Sequence, residues 1–550
     1  MTSTADTIIK GSILTMDGFR PQAASIAIKD GIIQAVGDDV DSLDDDYAGP
    51  GTRTVIVPNG QIVLPGFGDV HVHLLLAGHR ETFEYKIDLS WSVEDILQGL
   101  RKAVESVPEG RWIVGGFWNL KHLDKLNDVD MLRKIDIITG DIPMLLRDDT
   151  AHNRLVNTAA LRLMGIDPEH ADRYGSDVYH TEDGKATGVL TETASRWAEE
   201  TLEANNRKFD REIEDSLATA VSIMNERGIT MMQECGTGEN MLRAFHNLDR
   251  ERALNSWIVT SVSLNDRIFG FLPIGHDLVI RASQYAGRKI LPTYAKIFGD
   301  GTPPTYTAYW HEAYSLTKEY GADYHGRPNL SLDDMTNFFE LLNKEHMGCV
   351  IHCAGDAAVS MVLDARDRII AQGGNIPVHV AHAQYIRSED YSRMADDGVF
   401  LDISPQFWFP SDYHYSGLGT MPAEITENIC LFRDLINNGV TLAGGSDWPC
   451  SPDPNPWFGI HGLVTRMNPH GDFPGIAYRP DQSLSLEESI RLYTINVAKA
   501  MGIDDRTGSI TLGKEADLAI CEDPFAVQEQ DICRIRTLQT WSSGRVVYER

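Results

Sequence analysis

Between residues 66 and 502, short apolar runs alternate with longer stretches of helical periodicity. That alternation constrains the fold more than any other feature of the chain. The runs 68–73, 230–235, 257–263, 292–298, 348–353, 377–382, 399–404 and 441–445 are each long enough for one buried strand. Helical patterns fill 210–227, 332–346, 357–371, 388–397 and 423–438. Strands alternating with helices imply parallel βαβ units, and eight such units close a (β/α)8 barrel. The run 143–147 is a further strand candidate and falls in an insertion, about residues 85–205, after the first barrel strand. Both chain ends differ in character. β-Branched runs at 7–16, 25–28, 32–36 and 54–64 are punctuated by Asp17-Gly18, Asp30-Gly31 and Asn59-Gly60, which are turn dipeptides. The same style returns at 516–521, 535–541 and 546–548. The expectation is an α/β protein: a distorted (β/α)8 barrel over 67–502, flanked by a composite β-sandwich built from 1–66 and 503–550.

Charge narrows the partners. The 550 residues carry 49 Lys and Arg against 80 Asp and Glu, a formal charge of −31. This argues against nucleic acid and against an anionic membrane surface, both of which want basic patches. No stretch approaches about 18 apolar residues, so no membrane span is expected. The seven cysteines are odd in number and hold no CxxC pair. That suits reduced thiols in a cytoplasm better than a disulfide framework. The first residues, MTSTADTIIKGSILTM, lack a charged segment followed by a long apolar one, so no signal peptide is expected.

Chemistry-bearing residues recur where the barrel strands end. His71 and His73 are two apart on the first run, so both side chains point the same way, and two imidazoles at one strand tip can grip a divalent metal. Lys296 lies inside the fourth run. A lysine there must snorkel out, pair with Asp300 or Asp69, or be carboxylated by CO2 to a carbamate that bridges metals. His352 ends the fifth run. His379 and His382 share the sixth, three apart, so only one of them is expected to face inward; His382, nearer the tip, is the better ligand, and His379 a packed histidine. Asp447 follows the eighth run in GGSDWP, either as a metal-binding carboxylate able to accept a proton or as a turn residue before Pro449. In the insertion, His152 is a candidate donor to a developing oxyanion, and Glu192 a further pocket residue. Trp118, Trp310, Phe407, Trp408, Phe409 and Trp448 fall near mouth segments and suit an apolar or aromatic substrate group. The 299–329 segment, long for a connection, is a lid or specificity loop candidate.

With these motifs in order, the chain resembles the amidohydrolase superfamily. They are LPGFGDVHVHL (64–74), Lys296 before Asp300-Gly301, His352 before Gly355-Asp356, His382-Ala383-Gln384 and GSDWP (445–449). The similarity points to the branch of N-substituted formamide deformylases, amidohydrolase family 3. It extends to 148–161, 186–194 and 508–520. Two departures stand out: Val380-Ala381-His382, where an acidic residue before the histidine is the norm, and the small Ala354. The resemblance implies a metal centre at the barrel's C-terminal mouth. His71, His73 and Asp447 would hold one ion, and a carboxylated Lys296 would bridge to a second held by His352 and His382. Zinc is the expected metal, with one or two ions per subunit.

The implied activity is hydrolysis of a C–N bond other than a peptide bond, in a linear amide or N-substituted formamide, by metal-bound hydroxide, with Asp447 moving the proton. Alternatives on the same centre are a cyclic-amide, carbamate or ester hydrolase, or a decarboxylase. A non-enzymatic alternative is a ligand-binding or regulatory protein that has lost catalysis. The partner is a small molecule, and a homo-oligomer is compatible with such barrels.

Overall fold

The computed structural model describes residues 4–209, 211–266, 268–315, 321–396, 398–423, 425–471 and 473–550. Residues 210, 397 and 424 of three expected helices, and 316–320 of the 299–329 loop, lie outside the described residues.

Eight parallel strands form the central sheet, in chain order from Phe67–Val72 through Ile229–Thr237, Trp257–Ser263, Ile290–Phe298, Gly348–His352, Val378–Ala381 and Val399–Ile403 to Thr441–Gly444. Each pairs with its sequence neighbour, and a parallel bridge between Val72 and Trp448 brings the eighth strand back to the first. Both faces of the sheet are covered, so most strands are buried along their whole length, as parallel strands must be. Inside the ring, Val70, Met231, Val259, Tyr294, Val350 and Ala381 form a plug, closed below by Val497 and Ala498 of the helix Ile495–Ala500. With its floor filled, the ring leaves its C-terminal mouth for a site.

The terminal strands form one eight-stranded sheet. Gln61–Pro65 pairs antiparallel with Leu518–Glu522, which joins the two chain ends. The run 54–64 is split by Gly60, whose φ of +85° makes the turn between Arg53–Ile56 and Gln61–Pro65. Ile33 N–H donates to the Lys514 carbonyl at 2.8 Å, tying the strand Ile32–Gly37 to the segment before Leu518–Glu522, and the sheet covers a shared core of Ile9, Ile26, Val63, Leu518 and Trp541. The insertion carries its own six-stranded sheet, which includes Met144–Asp148, Asn153–Val156 and Ala186–Thr191. Two expected helices are shorter than their patterns. Among the described residues of 423–438 a 3-10 turn and Phe432–Asn437 form, and Cys430 between them has a φ of +57° that no helix continues through. In 388–397 a 3-10 turn precedes the single turn Tyr391–Met394. Among the described residues no helix is long and apolar enough to cross a membrane.

Candidate metal centre

The strand-one motif and the loop after strand eight are stitched together through the backbone. Asp447 N–H donates to the His71 carbonyl at 2.8 Å, and His73 N–H to the Trp448 carbonyl at 2.9 Å. The Asp69 carboxylate accepts the backbone N–H groups of His71 and Ser446, both at 3.0 Å. Burial pushes that carboxyl up to about 7. This lacing sets Asp447 Oδ1 3.2 Å from His73 Nε2 and 3.7 Å from His71 Nε2. Around them, the His382 ring lies 4.5 Å from His71, His352 4.9 Å from His382, and His152 5.2 Å from His352, centre to centre. Lys296 Nζ is 3.4 Å from His71 Nε2. His71, His73, His152, Lys296, His352, His382 and Asp447 all line one cavity, whereas Glu192, expected as a pocket residue, is not among its walls and stands against His152.

The backbone is held in an unusual conformation at several of these positions. His382 (φ 70°), Asp447 (54°), Ala151 (56°) and Glu192 (44°) all sit in the left-handed region, which costs energy for residues with a Cβ. At His382 this corrects the expected alternation. His379 faces the barrel interior after all: its Nε2 bonds the Ala500 carbonyl at 2.8 Å and its ring packs on Tyr294. His382 lies just past the end of strand six, and its left-handed turn resets the alternation, so both histidines point inward.

Electrostatics favour neutral imidazoles. Burial first, then the Lys296 charge, holds His71 well below the ordinary histidine range, and burial followed by His352 and Lys296 does so for His382. Burial does the same to His352, ahead of His152 and Lys296. Burial also lowers His73, opposed by Asp447. Neutral rings are the metal-binding form, and two of them have their far nitrogen engaged. His71 Nδ1 is bonded to the Asp402 carboxylate, and His352 Nε2 donates to the Gly301 carbonyl at 2.9 Å. Ligand atoms of His71, His382 and Asp447 all lie within 4.8 Å of one another. Asp447 Oδ1, His73 Nδ1 and His382 Nδ1 are buried without a hydrogen bond. A divalent cation therefore fits this donor set.

Lys296 pairs with neither Asp69 nor Asp300. Asp69 is spent on the backbone, and Asp300 accepts three N–H groups, from Tyr309, Ala354 and Gly355, each at 2.9 Å. The amine instead faces the histidines from inside the barrel.

Two residues at the site were not foreseen. Asp402 sits on strand seven, fully buried, and its signal was a lone carboxylate in the apolar run VFLDIS. His414, 2% exposed, lines the cavity; nothing in its tyrosine-rich segment marked it out. The aromatic expectation needs correction. Trp118, Trp310, Trp408 and Trp448 are packed in the core, and Phe409 lies outside this cavity. The apolar lining comes from Ile268, Phe269, Phe298, Pro303, Phe407 and Met421.

A model of the amidohydrolase family matches residues 56–548. The chain is similar to YtcJ of Bacillus subtilis (strain 168), which is named an amidohydrolase, at 27% identity over 555 residues and 98% of each chain. It is 25% identical over 562 residues to the N-substituted formamide deformylase of Arthrobacter pascens, covering 99% of this chain and 98% of that protein. A solved structure of an uncharacterized metal-dependent hydrolase from Pyrococcus horikoshii OT3 superposes with a TM-score of 0.74 at 20% identity, over 95% of this chain and 99% of that one. At that identity the likeness shows the fold.

Proposed function

The chain belongs to the amidohydrolase family, and from that premise we propose a metal-dependent hydrolase that cleaves a linear amide or an N-substituted formamide. One observation carries the proposal: His71, His73, His152, Lys296, His352, His382 and Asp447 converge on one cavity whose other walls are largely apolar. The end-to-end match with a formamide deformylase supports the choice of bond.

His71, His73 and Asp447 would hold one ion, and His352 and His382 a second. Nitrogen and carboxylate donors suit zinc, although iron, manganese and nickel share the preference. A divalent cation there supplies a water of pKa about 7 and polarises the scissile carbonyl. Lys296, carboxylated, would join the donor set. An ammonium 3.4 Å from a ligand nitrogen would repel the cation, whereas its carbamate would attract it. Asp447 takes the proton of the attacking water and delivers it to the departing nitrogen. His152 donates to the carbonyl oxygen as charge develops. The Phe269, Phe298 and Phe407 walls receive an apolar or aromatic N-substituent and exclude water. Seven cysteines without a disulfide suit a cytoplasmic setting.

The test is turnover of matched N-substituted formamides, linear amides, cyclic amides, carbamates and aryl esters, with metal content measured alongside. Fastest cleavage of the first two classes is expected. Preference for another class would replace the substrate, and a metal-loaded protein inert to all of them would overturn the assignment. Asp447→Asn is expected to keep its metal and lose turnover; normal turnover in the loaded variant would remove Asp447 from this role.

A further inference from the structure

Outside the proposed ligands, a buried carboxylate is committed to the cavity histidine His152. Glu192 is 1% exposed and stands between Ala186–Thr191 of the inserted sheet and the helix that it begins, Glu192–Asn205. Its Oε1 lies 3.2 Å from His152 Nδ1, and the Thr307 hydroxyl donates to the same oxygen at 3.2 Å. The two residues close adjacent strands, since Asn153, next to His152, is the register partner of Thr191. Their backbones are bonded as well. Glu192 N–H donates to the His152 carbonyl at 3.2 Å, and the Ser195 hydroxyl donates to it at 2.8 Å.

Local geometry is bent to make this contact. Glu192 adopts a φ of 44°, a conformation that a side-chain-bearing residue keeps only when its surroundings impose it. Opposite it, a Cβ on Gly301 would fall 2.9 Å from Glu192 Oε1 and 2.0 Å from Thr307 Oγ1, so glycine makes room for the carboxylate. The same Gly301 carbonyl receives His352 Nε2. The loop after barrel strand four therefore wedges the inserted sheet against the histidine cluster.

We propose that Glu192 is the positioning residue for His152: it accepts the Nδ1 hydrogen, fixes the ring plane and leaves Nε2 as the polar atom offered to the substrate carbonyl. Thr307 holds the carboxylate in place, and the inserted sheet becomes part of the active site. A carboxylate that orients a histidine through Nδ1 is a recurrent device, because the other nitrogen is then aimed. Donation to a developing oxyanion uses the doubly protonated ring, in which Nδ1–H stays on Glu192, Nε2–H points to the substrate oxygen and Glu192 carries the balancing negative charge. No bond other than hydrogen bonds changes at Glu192. This deepens the amide-hydrolase proposal and rests on His152's place in it.

The test has two arms. Proton NMR of the full-length protein should show a downfield imidazole N–H that vanishes in His152→Gln, which assigns it. It should persist, displaced, in Glu192→Gln and disappear in Glu192→Leu; Thr307→Val should shift it without losing it. Steady-state kinetics on the best substrate of the panel should show kcat falling 10- to 100-fold in Glu192→Leu with KM within about twofold, and largely recovered in Glu192→Gln. An N–H unmoved by Glu192→Leu would overturn the proposal. So would a glutamine variant as impaired as the leucine one while its spectrum shows an intact fold. If Glu192→Leu does not fold, the Gln and Thr307→Val shifts decide, and an unshifted signal in both refutes the contact. If the wild type turns over nothing, the resonance arm still decides the dyad, and it is the hydrolase assignment that fails.

Discussion

Asp402→Leu tests whether the histidine cluster is built for a cation. Asp402 is fully buried on strand seven, and its carboxylate is bonded to His71 Nδ1. His71 is itself fully buried, so no water can take over. Leucine would strand the Nδ1 hydrogen, at a cost of about 1–3 kcal/mol for an unsatisfied buried donor. Removing the carboxylate behind a ligating histidine weakens metal binding about 10- to 100-fold, or about 1.4–2.7 kcal/mol. Asp402→Asn keeps an acceptor for Nδ1 and should lose less than Asp402→Leu. The assay is competition for metal against a chromophoric chelator, at fixed pH, with folding checked by circular dichroism. A folded Asp402→Leu protein that binds metal within threefold of wild type would refute the reasoning.

Elsewhere, Glu199 holds two deeply buried guanidiniums, bonding Arg147 Nε at 2.7 Å and Arg154 Nε at 2.6 Å. Glu199→Leu should cost about 3–5 kcal/mol in urea unfolding, and a loss under 1 kcal/mol would show that the pairs do not matter. His379 is fully buried, and burial pushes it down to about 4. Its unfolded value is near 6.5, so below that pH the unfolded chain binds the extra proton. This contribution is complete above about pH 6.5 and lost as pH falls to about 4, roughly 3 kcal/mol in all. His379→Leu should flatten that part of the stability profile measured by urea midpoints; an unchanged slope would contradict the assignment. Gly301→Ala should displace Thr307 or Glu192 and lower kcat at least tenfold, and a fully active variant would show that the wedge tolerates a methyl group.

Much of the barrel could be read from the chain because its strands are short, largely apolar runs and most of them are bounded by a helix pattern. Runs such as 348–353 and 399–404 have no other place to bury both faces. The convergence of the candidate residues was readable for the same reason. His71, His352 and His382 stand at the tips of those runs, and tips converge in a closed ring. What escaped depended on single backbone angles and on long-range packing. The left-handed turn at His382 breaks the alternation on which the His379 inference relied. Cys430 ends a helical pattern that looked continuous. Asp402 was hidden among apolar neighbours, although a carboxylate in such a run needs a partner, and His71 is that partner. The tryptophans misled because bulk and nearness in sequence to a mouth loop do not say which way a ring packs. Trp408, for example, lies under the Arg466 guanidinium, 4.3 Å from it, inside the core.

The central claim is that these side chains meet around a cation. Crystals grown with zinc, with data collected on both sides of its absorption edge, test it directly. The account predicts an anomalous peak bounded by His71, His73 and Asp447, and density for a carboxyl group on Lys296 Nζ facing His352 and His382. Metal-replete crystals with no peak among these residues, or with the ion bound elsewhere, would contradict it.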